Sequence, residues 1–143
     1  VLVIERESSP QDLGKHLADI LPKVHAYITA HGQQPSGRPF MRYLDMTDRF
    51  VIAAGFPIDT QLEGAGDIEL RELPGGRALT AQFTGQPNMV GAAWTAVFAF
   101  AEAHGYERGS EWNGMGGWDV YVNDPEVVGA ANAQTRLYLP LPD

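Results

Sequence analysis

The chain predicts an α+β domain of tandem strand-helix-strand-strand repeats, related by pseudo-twofold symmetry around a central ligand cleft, and three observations predict it. A chain of 143 residues that is 44% hydrophobic buries roughly 68–70% of its unfolded surface, which suits one domain with one core. Two long segments carry apolar residues at helical spacing, and short strand-like runs surround them. The halves also repeat: Pro10-Gln11-Asp12-Leu13-Gly14 matches Pro87-Asn88-Met89-Val90-Gly91 at an offset of 77 residues, and Ala30-His31-Gly32 matches Ala103-His104-Gly105 at 73.

Each element has its own signal. Residues 1–7 read as a strand. Ser8, Ser9 and Pro10 open a helix with proline in its first turn. Leu13, Leu17, Ile20, Leu21, Val24 and Ile28 then recur at helical spacing until Gly32 closes it. Pro22 removes an amide from the ladder and predicts a kink. Strands follow at 38–46, 49–58, 67–73 and 77–84, with Leu73-Pro74-Gly75-Gly76-Arg77 expected as a hairpin turn between the last two. The second helix enters at Pro87, carries Val90, Trp94, Val97, Phe98 and Ala101 on one face, and stops at Gly105. It is one turn shorter, which accounts for the four-residue change in offset. Strands at 115–123 and 135–141 complete the chain.

Repeat one therefore spans about residues 1–60 and repeat two about 67–143, within a single domain 1–143. Tyr43 pairs with Tyr121 at an offset of 78, and the ending Gly55-Phe56-Pro57-Ile58 corresponds to Leu139-Pro140-Leu141. The seam is expected along strands 38–46 and 115–123, with the cleft between the halves. A hairpin arm equivalent to 67–73 has no counterpart before Val1, so further residues are expected upstream.

Composition narrows the function classes. Ten Lys and Arg against eighteen Asp and Glu give a net charge of −8 and a pI near 4.8. Such a chain has no surplus of cations to displace counterions from a phosphate backbone, so direct nucleic-acid contact is not expected. The absence of Cys excludes a disulfide scaffold, a thiol nucleophile and a cysteine zinc site, and fits a reducing cytoplasm. No run approaches the roughly twenty apolar residues of a membrane helix, so no membrane partner is expected. The histidines His16, His25, His31 and His104 do not gather at metal-ligand spacing, and no phosphate loop or serine elbow occurs, so neither metal nor cofactor is expected.

Alternation along a strand points Asp119 and Tyr121 one way and Trp118 and Val120 the other. The offset of 78 makes Met41 the mate of Asp119 and Tyr43 that of Tyr121. Two tyrosines, one methionine and one carboxylate form an apolar, polarisable pocket with a single negative charge, suited to a lipophilic or cationic small molecule. Burial is expected to raise the Asp119 pKa and so to link ligand binding to proton release. Trp112, in the Gly-rich segment 109–117, is a candidate pocket rim, Glu111 a candidate second acid, and Phe83 a candidate lining residue. Trp94, Val97 and Phe98 read as helix core, and Trp118 as packed under a helix.

Several short motifs in order resemble the GyrI-like, or bacterial transcription-regulator effector-binding, domain family. They are Arg38-Pro39-Phe40-Met41-Arg42-Tyr43, Ala54-Gly55-Phe56-Pro57-Ile58, Leu73-Pro74-Gly75-Gly76-Arg77 and Trp118-Asp119-Val120-Tyr121-Val122-Asn123-Asp124-Pro125. The resemblance implies tandem repeats with a central cleft and a role as a drug or effector sensor, or as a sequestering protein, that binds lipophilic, cationic or aromatic small molecules. It implies Asp119 in place of the family's cleft glutamate, one methylene shorter, with Tyr121 and Tyr43 as the cleft tyrosines. Alternatives within the family are hydrolysis of the cyclopropane ring of alkylating natural products, with Asp119 and Glu111 as the catalytic candidates, and modulation of gyrase as an interaction protein. A regulator of this kind implies a fused or partner DNA-binding domain.

Overall fold

The computed structural model describes residues 1–9, 11–46, 49–73, 75, 77–86, 89–106 and 117–141. In chain order the elements are β1 (Leu2–Ser8), α1 (Leu13–Ala30), β2 (Phe40–Met46), β3 (Phe50–Phe56), β4 (Ile68–Leu70), β5 (Ala78–Thr84), α2 (Val90–Ala103), β6 (Trp118–Tyr121), the short α3 (Pro125–Val128), a 3-10 turn (Ala130–Asn132) and β7 (Gln134–Pro140). The strands form one antiparallel sheet in the order β4-β1-β3-β2-β6-β7-β5. Each half runs strand, helix, strand, strand: the order β1-β3-β2 in the first is matched by β5-β7-β6 in the second. They meet where β2 pairs with β6, through Phe40↔Val120, Met41↔Asp119 and Arg42↔Trp118.

Local sequence accounts for the helices. Asp12 is the N-cap residue of α1, and its backbone N–H donates to the Ser9 hydroxyl oxygen at 3.3 Å. The helix continues through Pro22 as one element of 18 residues, four longer than the 14 of α2. Both end the same way, on a histidine followed by a glycine with positive φ: His31 then Gly32 at 74°, His104 then Gly105 at 72°. That left-handed residue turns the chain out of the helix, a conformation glycine adopts without steric cost.

Alternation builds the core. Leu2 and Ile4, Met41 and Tyr43, Ile52 and Ala54, and Leu137 and Leu139 face the helices and bury against Ile20, Val24 and Ile28 of α1 and Trp94, Val97 and Ala101 of α2. Each fully buried Leu or Ile contributes roughly 1.5–3 kcal/mol. Helix α1 packs on β1 and β3, and α2 on β5 and β7, which leaves β2 and β6 as the floor between the helices.

The opposite face departs from the sequence expectation. Leu73–Arg77 does not close a hairpin between 67–73 and 77–84: β4 pairs with β1 at one end of the sheet, through Leu2↔Leu70 and Ile4↔Ile68, while β5 lies at the other end. Five strands separate them, a span of about 29 Å at the usual strand spacing. Eight Cα steps from Leu70 to Ala78 reach about 29 Å when fully extended. The connection therefore crosses the back of the sheet as a strap. Glu72 and Leu73 lie over Val3, Phe40 and Ala53, and Gly75 and Arg77 lie beside Trp118 and Tyr138. Trp118 consequently packs on this back face with Val3, Phe40 and Ala53, not under a helix.

Candidate functional site

The β2–β6 register sets the geometry. Met41 and Asp119 face each other across the ladder, and Tyr43 and Tyr121 lie two residues further along their strands on the same face. Asp119 is 1% exposed. Its carboxylate accepts two short hydrogen bonds, from the Tyr43 hydroxyl to Oδ2 at 2.7 Å and from the Trp94 indole N–H to Oδ1 at 2.6 Å. The donors come from β2 and α2, so the acid joins strand to helix across the seam. The Tyr43 ring stands edge-on to Trp94, with centroids 5.9 Å apart at 81°.

Electrostatics follow from this burial. Desolvation raises the Asp119 pKa from 3.8 to about 6, against the lowering effect of the Tyr43 and Trp94 hydrogen bonds. The same burial, with the nearby Asp119 charge, pushes the Tyr43 and Tyr121 hydroxyls upward, so both stay protonated. The sequence had assigned Trp94 to plain helix core, and helical spacing does explain its position. What spacing did not carry is its polar end. Gly117 is the local signal: a Cβ there would lie 2.4 Å from the Trp94 ring, so glycine lets the indole reach the carboxylate.

Beside this cluster lies a cavity of about 580 Å³ between α1 and the seam strands. Its apolar walls are Leu17, Leu21 and Pro22 of α1, Pro39, Phe56 and Val122, and Tyr121 lies in its lining. His25, Arg38, Asn123 and Asp124 supply polar groups. The Arg38 guanidinium donates to the Val122 carbonyl, tying the start of β2 to the end of β6. His25 stands edge-on to Phe56 at 5.6 Å.

Of the residues expected at the site, Met41, Tyr43, Asp119 and Tyr121 come together on one face, and Tyr121 links the buried cluster to the cavity. Met41, at 0% exposure, and Tyr43, at 5%, belong to the core beneath. Phe83 packs partly buried against that core on β5, where it pairs with Thr135, which in turn pairs with Tyr121. Glu111 and Trp112 lie outside the described residues. The α1 wall was absent from the sequence expectation, yet two signals pointed to it. The Leu13, Leu17 and Leu21 stripe exceeds what Ile20, Val24 and Ile28 need for packing. The offset of 77 also makes Leu17 the mate of Trp94 and Leu21 that of Phe98. Trp94 and Phe98 stand with ring centroids 5.6 Å apart, whereas the smaller Leu17 and Leu21 border the cavity. Among the described residues no group of three or more His, Asp or Glu side chains is placed to hold a metal ion, and no helix is long and apolar enough to cross a membrane.

Comparison with known proteins agrees with this architecture. A chain in the cryo-EM structure of the EcmrR–DNA complex in EcmrR-RPo superposes with a TM-score of 0.75 at 16% identity, over 98% of this chain and 53% of that one. The present chain thus spans about half of that protein's length. An uncharacterised conserved protein from Listeria innocua gives a TM-score of 0.70 at 12% identity, covering 99% of this chain and 86% of its own. At such identities these likenesses speak to the fold alone. No curated protein matches the sequence. The model of the GyrI-like small molecule binding domain matches residues 1–142, and the chain belongs to that family.

Proposed function

We propose that this small-molecule-binding domain takes a lipophilic ligand, cationic or aromatic, in the cavity between α1 and the strand seam, and acts as an effector or drug sensor or as a sequestering protein. One observation carries the reading: a 580 Å³ apolar cavity has Tyr121 in its lining, with the buried Asp119 carboxylate behind it. Aromatic faces attract cations, and a carboxylate in a low-dielectric setting adds roughly 1–3 kcal/mol of attraction at several ångströms. Because Asp119 is buried and Tyr121 stands in the cavity lining in front of it, Asp119 acts on the ligand through space and through Tyr121. It needs no direct contact.

The burial of the acid weighs against hydrolysis. A carboxylate that activates water needs an oxygen open to that water, and Asp119 is 1% exposed. Binding is the reading the geometry supports. In the sensor form a DNA-binding segment, fused or supplied by a partner, would report occupancy in the cytoplasm, as the likeness to half of the EcmrR chain supports.

Two ions of matching size and opposite charge test the proposal. Tetraphenylphosphonium is expected to raise the melting temperature in proportion to ln(1 + [L]/Kd), and tetraphenylborate is expected to leave it unchanged. Equal shifts from both ions would remove the role assigned to Asp119, and no shift from either would remove the cavity as a lipophilic-ion site.

A further inference from the structure

We propose a second ligand site on the back of the sheet, beside Gly75 and Arg77, that takes a small planar aromatic carboxylate. A cavity of about 350 Å³ lies there, lined by Arg77, Thr80, Trp118 and Tyr138 among others. The Trp118 and Tyr138 rings stack at 5.6 Å and 13°, with Trp118 buried and Tyr138 half-buried, and both line the cavity. This face is separate from the α1 cavity, since the sheet lies between them.

The charge on this face sets the ligand's sign. Strand alternation places Ala78, Thr80, Gln82 and Thr84 of β5, Trp118 and Val120 of β6, and Gln134, Arg136, Tyr138 and Pro140 of β7 on the back. None of these is acidic, in a chain whose net charge is −8. Arg77 lines the cavity, and Arg136 follows two residues before Tyr138. Both are exposed, and among the described residues neither forms an ion pair, whereas Arg6, Arg49 and Arg71 do. An aromatic stack beside an unpaired guanidinium matches a flat ring that bears one carboxylate: the ring extends the stack, and the guanidinium offers the fork geometry a carboxylate accepts. A polyanion fits less well, because the remaining negative charge of the chain repels it and few cations are present to release its counterions.

The test uses the intact chain and 2-naphthoate, with 2-naphthylmethylammonium as the cationic counterpart, followed by calorimetry and by backbone amide shifts. Naphthoate is expected to bind at least tenfold more tightly than the ammonium ion and to shift the Thr80 and Tyr138 amides. Arg77→Gln is expected to weaken it about tenfold, Arg77→Lys less. Leu17→Trp, which fills the α1 cavity, is expected to leave it unchanged. The proposal is overturned if the ammonium ion binds equally well, if Arg77→Gln has no effect, if Leu17→Trp abolishes binding, or if a single-stranded oligothymidylate binds this face while naphthoate does not.

Discussion

At Asp119 the competition is between desolvation, which penalises the charge, and two short hydrogen bonds, which favour it, and desolvation wins. The folded-state pKa rises from 3.8 to about 6, so the folded protein holds this proton more tightly than the unfolded chain. The sign follows: stability falls as pH climbs from about 4 to about 6, by about 3 kcal/mol for a shift of this size, and the penalty is complete above that window. Asp119→Asn removes the charge yet keeps the network, because its amide oxygen accepts from Trp94 and its NH₂ donates to the Tyr43 hydroxyl. Urea unfolding at pH 4 and pH 7 is expected to show a pH-dependent loss about 2 kcal/mol smaller in Asp119→Asn than in the parent. Identical slopes would mean that the carboxyl is not buried as described. Trp94→Phe is expected to cost about 1–3 kcal/mol at pH 7, since it strips one donor from a buried carboxylate, and less at pH 5. The common facing of Asp119 and Tyr121 was legible from strand alternation; the repeat offset made Met41 the counterpart of Asp119, but their direct pairing across the β2–β6 ladder emerges only from the register. The Trp94 contact was not legible, because an indole that fills a core and one that also donates have the same helical spacing.

Between elements, close approach decides what is tolerated. Gly117→Ala drives a methyl into the Trp94 ring, and overpacking of this kind costs about 1–3 kcal/mol. Near-UV circular dichroism is expected to lose the Trp94 signal along with that stability. An unchanged spectrum would show that the indole sits elsewhere. The strap gives a second element-scale prediction. With about 29 Å to span in eight Cα steps, deleting Gly75 is expected to pull β4 from β1 and expose the Ile68–Leu70 amides to hydrogen exchange; a hairpin loop would absorb the deletion. The hairpin expected at Leu73–Arg77 was wrong for a physical reason. Proline and glycine mark a break in regular structure, but the partner of β4 is chosen by a long-range match to β1, and turn chemistry carries no information about that. The strands and both long helices were legible within a few residues, since period-2 and period-3.6 patterns are local. The short helix α3 and the following 3-10 turn were missed, being too brief for periodicity to register.

At the scale of the whole molecule, two similar halves differ where it matters. Trp94 and Phe98 pack against the core on α2, while a cavity lies beside Leu17 and Leu21 on α1, and the buried acid Asp119 stands behind its Tyr121 wall. A cation there favours the ionised form of Asp119, so affinity for tetraphenylphosphonium is expected to rise as pH passes upward through about 6. His25, Arg38 and Asp124 also line the cavity, and the rise must therefore persist in His25→Gln. The decisive measurement is the dissociation constant of tetraphenylphosphonium for the parent and for Leu17→Trp, a substitution that installs in the first half the indole already present in the second. The account predicts that binding is lost in the folded variant; undiminished affinity there would place the ligand somewhere other than this cavity.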